Sequence, residues 1–178
     1  MTKREKFNDD WKYSEDVYKQ LRPVIEKVMG WKFIKQEPGN FSAYDIVYLT
    51  KEGKEITVEH KCDRKSGRTN NAFFETGKPN GDLDKPSGLT ITTAELWAQF
   101  LPAMDMVYIY RPLPLLAVIK LAQEQDRIKK GSTDFTFVDE IGDGNANGCH
   151  IHCGKFVSLI KKLGIVFDQF QFHYKKPA

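Results

Sequence analysis

The segment Asp45-Ile-Val-Tyr-Leu-Thr-Lys-Glu-Gly53-Lys-Glu55-Ile-Thr-Val-Glu59-His60-Lys61 reads as two strands around a tight turn. Tyr44 to Leu49 forms one apolar run, Lys51 to Lys54 supplies a Gly-containing turn, and Glu55 to Cys62 forms the second strand. Side chains alternate along a strand, so Glu55, Thr57, Glu59 and Lys61 share one face, and Ile56, Val58 and His60 share the other. Asp45 opens an otherwise apolar strand. Pairing across the short turn brings it towards Glu59, with the register left open by the sequence.

Outward from this hairpin the pattern is mixed. Asp9 to Met29 has apolar residues at helical spacing (Trp11, Val17, Tyr18, Leu21, Val24, Ile25, Val28), with Pro23 expected to kink or divide the helix and Gly30 to end it. Trp31 to Lys35 alternates as a strand. Phe73 to Glu75 reads as a short strand and Gly77 to Gly88 as a loop or flap. Thr92 or Thr93 is expected to cap a helix carrying Ala94, Leu96, Trp97, Phe100 and Leu101. Met106 to Tyr110 reads as a buried strand, Pro112 to Gln125 as a helix, Phe135 to Val138 and His150 to Cys153 as strands around a Gly-rich loop, and Phe156 to Leu163 as a short helix. Strands and helices mixed in one small unit indicate an α/β fold with a mixed sheet flanked by helices.

With 178 residues and 40% hydrophobic content, the chain fits one domain with a real core. No apolar run approaches the roughly 20 residues of a membrane helix, and from the polar start a secretory signal is not expected. Cys62, Cys149 and Cys153 cannot all pair within one chain, so a reducing, intracellular setting is expected. The formal charge of +3 permits a local basic surface without demanding one. Cys149-His150-Ile151-His152-Cys153 invites a zinc reading. In a strand, however, the cysteines and histidines point to opposite sides and cannot converge, so packed cysteines and partly exposed histidines are expected instead.

Two carboxylates on adjacent strands make a hard-oxygen site. Mg²⁺ keeps several waters and needs only one or two such ligands. The backbone carbonyl of His60 lies between Glu59 and Lys61 and offers a further oxygen. A cation there would activate water and offset charge on a phosphodiester, and Lys61 would position that water or stabilise the transition state.

These residues, in this order of elements, resemble the PD-(D/E)XK phosphodiesterase superfamily over about residues 10–111. Asn71-Ala-Phe-Phe-Glu75, Lys85-Pro-Ser-Gly-Leu89 and Thr92-Thr-Ala-Glu-Leu-Trp97 resemble small phage-encoded members and Holliday-junction resolvases. Tyr44 stands where the motif has Pro. The resemblance implies a restriction-endonuclease-like core (helix, three strands, helix, strand) followed by a C-terminal addition over about 112–178. It implies a Mg²⁺-dependent DNA endonuclease, with Mn²⁺ as substitute, acting in the cytoplasm as a homodimer. Asp45 and Glu59 would be metal ligands together with the His60 carbonyl, and Lys61 the base or charge stabiliser. It also brings in Glu15, on the first helix, as a further acid. A non-catalytic nucleic-acid binder on the same fold remains the alternative. Glu75 is a candidate additional acid if its segment lies beside the hairpin. Arg64, Lys65 and Arg68 follow the site directly and suit a DNA backbone, and Lys78 and Lys85 suit a clamp over it.

Overall fold

The computed structural model describes residues 3–37, 43–77, 87–138 and 147–176. Helix α1 (Lys3–Met29) leads into strands β1 (Lys32–Gln36), β2 (Ile46–Leu49) and β3 (Glu55–Cys62). A single turn α2 (Ser66–Thr69), strand β4 (Asn71–Gly77) and a 3₁₀ turn at Gly88–Thr90 connect to β5 (Leu96–Leu101) and β6 (Met106–Tyr110). Then follow α3 (Pro112–Ile128), β7 (Thr136–Val138), β8 (Asn147–His152), α4 (Cys153–Lys162) and β9 (Val166–Gln171). The architecture is α/β. A six-stranded mixed sheet runs β1-β2-β3-β5-β6-β9, and a smaller antiparallel sheet runs β4-β8-β7. In the large sheet β3 and β5 are parallel and every other pair is antiparallel.

Helix α1 covers one face of the large sheet. Val17, Leu21 and Ile25 pack with Ile46, Tyr48, Ile56, Val58, Leu96, Ala98, Phe100, Val107 and Ile109. The opposite face carries Trp97, Leu101, Tyr108 and Tyr110, which pack with Ala72 and Phe74 of β4, Leu115 and Ile119 of α3, and Phe156 and Ile160 of α4. The central strands of the large sheet, β5 and β6 above all, are therefore buried on both sides, while the edge strands β1 and β9 stay largely exposed. α1 runs through Pro23 as one element, and Gly30 closes it with a φ of +65°, a left-handed conformation that glycine adopts at little cost.

Two expectations change. The segment expected as a helix after Thr92 or Thr93 is strand β5, paired with β3 on one side and β6 on the other. Every residue from Leu96 to Leu101 is buried, because both faces of this central strand are covered. Such a strand reads as an unbroken apolar run, which periodicity cannot tell from a buried helix. Thr92 caps no helix: its hydroxyl donates to the Ala43 carbonyl. The segment after residue 111, expected as an addition, supplies α3 and α4 to the core and β9 to the large sheet.

The buried Tyr110 hydroxyl donates to Gln99 Oε1 at 2.7 Å inside this core. Tyr110→Phe is expected to lower unfolding free energy by about 1–3 kcal/mol, since the Gln99 oxygen loses its partner away from water. Urea denaturation checks this; an unchanged midpoint would mean that the bond adds nothing to the fold.

Candidate active site

Strands β2 and β3 pair with Ile46 opposite Val58 at the open end of the hairpin. One residue further, Asp45 stands opposite Glu59. Two bonds fasten it there: the Asp45 N–H donates to the Val58 carbonyl at 3.2 Å, and the His60 N–H donates to Asp45 Oδ2 at 2.8 Å. Glu59 and Lys61 share a face, as alternation requires, and their side chains meet, Lys61 Nζ to Glu59 Oε1, at 2.5 Å. Lys61 Nζ also lies 5.3 Å from the centre of the Trp97 ring, which is in register with Glu59 on the neighbouring strand. The structure thus brings Asp45, Glu59 and Lys61 together.

The electrostatics are strained in a particular way. Burial pushes the Asp45 carboxyl up from 3.8 to about 6, and the nearby Glu59 adds to the rise; Lys61 and the His60 N–H oppose it. Burial works against the Lys61 ammonium, but Glu59, Asp45 and Glu75 more than offset this and hold its pKa above the usual lysine value. Glu59 is 8% exposed, and its Oε2 is buried with no hydrogen-bond partner among the described residues. An orphaned carboxylate oxygen at this depth is costly unless something charged completes it.

On the other face of β3 the His60 ring is buried beneath α1. Its Nε2 lies 3.3 Å from the Tyr48 hydroxyl, and its ring meets Tyr18 edge-on at 5.2 Å. Burial, with Arg22 nearby, pushes its pKa down to about 3, so the ring is neutral. The Tyr18 hydroxyl donates to the His60 carbonyl at 2.7 Å. A carbonyl oxygen has two lone pairs, so one remains for another partner.

Among the described residues no three His, Cys, Asp or Glu side chains gather as a metal cluster. The donor set is two carboxylates and one main-chain oxygen. That suits Mg²⁺ or Mn²⁺, which are held by few protein ligands and several waters, and the unpartnered Glu59 Oε2 fits such a cation.

The remaining candidates divide. Glu75 lines a cavity of about 140 Å³ with Lys61, Asp63, Phe73, Trp97 and Gln99, and its carboxylate accepts from the Ser87 hydroxyl at 2.5 Å. Glu15 is engaged with Lys19 on its own helix at 3.9 Å and lines a different cavity, with Tyr18, Arg22 and Gln36. Arg64 is tied to α1: it pairs with Asp9 at 2.5 Å and Asp10 at 3.0 Å and lies over the Tyr13 ring at 5.0 Å. Lys65 and Arg68 border or lie on the α2 turn, Lys65 half-buried and Arg68 exposed. Lys78 and Lys85 lie outside the described residues. In the Cys149–Cys153 segment both cysteines are buried, while His152 is exposed, its Nδ1 accepting from the Gly154 N–H.

Sequence reasoning missed Tyr18 as a partner of the site, having read it as helix core. It also missed Asp63, whose two carboxylate oxygens accept from the Ser66 and Phe73 N–H groups and join the end of β3 to β4. The only hint was an acid directly after a strand. Comparison with protein-family models, curated proteins and solved structures finds no match.

The Asp45 shift has a measurable sign. Folding raises this carboxyl from 3.8 to about 6, so its favourable contribution is fully present below about pH 4 and is lost as pH rises through 6. In metal-free protein, Asp45→Asn keeps an acceptor for the His60 N–H and removes the half-buried charge. It is expected to be more stable than the parent at pH 7.5 by on the order of 1–3 kcal/mol, the gap closing near pH 4. Denaturation with chelator across that range checks this; a gap independent of pH would mean that Asp45 titrates normally.

Proposed function

We propose that this chain is a metal-dependent DNA endonuclease of the PD-(D/E)XK type, with Asp45, Glu59 and Lys61 as its working residues. On this reading the α1–β1–β2–β3 unit and the parallel strand β5 form a restriction-endonuclease-like core, with β4 and its connections in the place of the expected crossover helix. The observation that carries the reading is the buried, unpartnered oxygen of Glu59, directly across the hairpin from the half-buried carboxylate of Asp45.

Asp45, Glu59 and the free lone pair of the His60 carbonyl would hold Mg²⁺ or Mn²⁺. The bound cation would supply activated water and neutralise charge on the scissile phosphate. Lys61 stays protonated at neutral pH, because the surrounding acids raise its pKa. That favours a charge-stabilising role over a general base: its ammonium places fixed positive charge beside the phosphate oxygens as negative charge develops. Trp97 backs this ammonium and limits its movement. Glu75, in the cavity that Lys61 lines, is the better placed of the two additional acids.

DNA and a second copy of the chain are the partners of this reading. α3 leaves Leu113, Leu121 and Ile128 exposed on one face, which suits a subunit contact. Among the described residues no helix is long and apolar enough to cross a membrane; the cytoplasm is the proposed place of action. Junction resolution is the preferred substrate, followed by a site-specific or other phage-type endonuclease.

Supercoiled, linear, branched and single-stranded DNA, each with Mg²⁺ and with chelator, test the activity. The parent protein is expected to cleave at least one of them only with metal. Glu59→Gln should abolish cleavage and leave DNA binding largely intact, because binding energy comes mainly from phosphate contacts. Lys61→Ala should cleave about 10²–10³-fold more slowly, the usual cost of losing one transition-state stabiliser. Parent-like cleavage by either variant would remove that residue from the mechanism.

A further inference from the structure

Tyr18 lies outside the residues given chemical work above, yet it reaches the centre of the site. Its hydroxyl, from the middle of α1, donates to the His60 carbonyl 42 positions away at 2.7 Å. The same residue's N–H is committed to Asp45 at 2.8 Å, and its ring is held between Tyr18 and Tyr48. The backbone unit between Glu59 and Lys61 is therefore fixed at its nitrogen, its oxygen and its side chain. The oxygen's restraint and half of the ring's come from α1, both from Tyr18. Removing that donor leaves the carbonyl without its helix partner, while the Arg64 pairs with Asp9 and Asp10 and the ring contact of residue 18 with His60 still join this strand end to α1.

We infer that Tyr18 is a positioning residue of the site: it clamps the His60 carbonyl so that the oxygen's remaining lone pair and the carboxylates of Asp45 and Glu59 serve one cation together. This role rests on the metal-dependent reading proposed above. It differs from a merely structural tie between helix and sheet, which would affect stability and leave cation affinity alone. Val17 provides the contrast. It precedes Tyr18 on α1 and is fully buried in the same core, so truncating it loosens the helix while leaving the Tyr18 hydroxyl in place.

Calorimetric titration of the full chain with Mn²⁺, well below the unfolding temperature, separates these roles. Three proteins are compared: the parent, Tyr18→Phe and Val17→Ala, with urea denaturation of each alongside. Tyr18→Phe is expected to bind Mn²⁺ roughly fivefold more weakly, the scale of one hydrogen bond lost. Val17→Ala is expected to be destabilised at least as much and to keep the parent affinity. If Tyr18→Phe binds Mn²⁺ as tightly as the parent, Tyr18 is only a helix tie and the inference fails while the metal reading stands. An equal loss of affinity in Val17→Ala would also overturn it, by showing a general effect of loosening α1. If the parent itself takes up no Mn²⁺, the metal reading falls first and this role falls with it.

Discussion

The hydrogen bond from the His60 amide to the Asp45 carboxylate holds the open end of the β2–β3 hairpin in one arrangement. Without it a charged side chain would sit beside Ile46, Val47 and Tyr48, all buried, with nothing to fix its direction. With it, Asp45 is held facing the strand that bears Glu59. The cost shows in the chemistry. One carboxyl is pushed up to about 6, and the other keeps an oxygen without a partner. Stable cores avoid such features, and functional sites concentrate them. The surrounding sheet, covered on both faces, makes the cost sustainable.

The position of β5 explains why the site has a single polar row. As the parallel neighbour of β3 it sets Trp97 beside Glu59 and Gln99 beside Lys61. Trp97 and Gln99 are buried, so the charges of Glu59 and Lys61 have mainly each other and whatever enters from outside. The basic residues beyond the strand are less alike than their clustering suggests. Arg64 is engaged with α1 through Asp9 and Asp10. Arg68 is exposed and remains suited to a phosphate backbone.

Much of this was legible in the sequence, and for definite reasons. The hairpin showed itself because β3 is covered unequally near its start, so Glu55-Ile-Thr-Val-Glu59 alternates, and alternation placed Glu59 and Lys61 on one face. The turn at Gly53 showed which strands pair, and the register that sets Asp45 opposite Glu59 came only with the structure. β5 was not legible, because a strand buried on both faces loses the alternation that marks a strand. β9 was missed because its alternating burial, in Val166-Phe-Asp-Gln-Phe-Gln171, depends on an edge position that only the assembled sheet defines. The Tyr18–His60 contact spans 42 positions and joins a residue that read as ordinary helix core to the carbonyl proposed as a ligand. No local pattern announces a pairing of that kind.

A cation held between Asp45 and Glu59 is what the proposed chemistry requires. Anomalous diffraction from crystals grown with Mn²⁺ tests this most directly. A strong peak is predicted between Asp45 and Glu59, about 2 Å from an oxygen of each and from the His60 carbonyl, displacing Lys61 from Glu59 Oε1. A well-ordered Asp45–Glu59 pair with no peak at saturating Mn²⁺, and Lys61 still against Glu59, would contradict it.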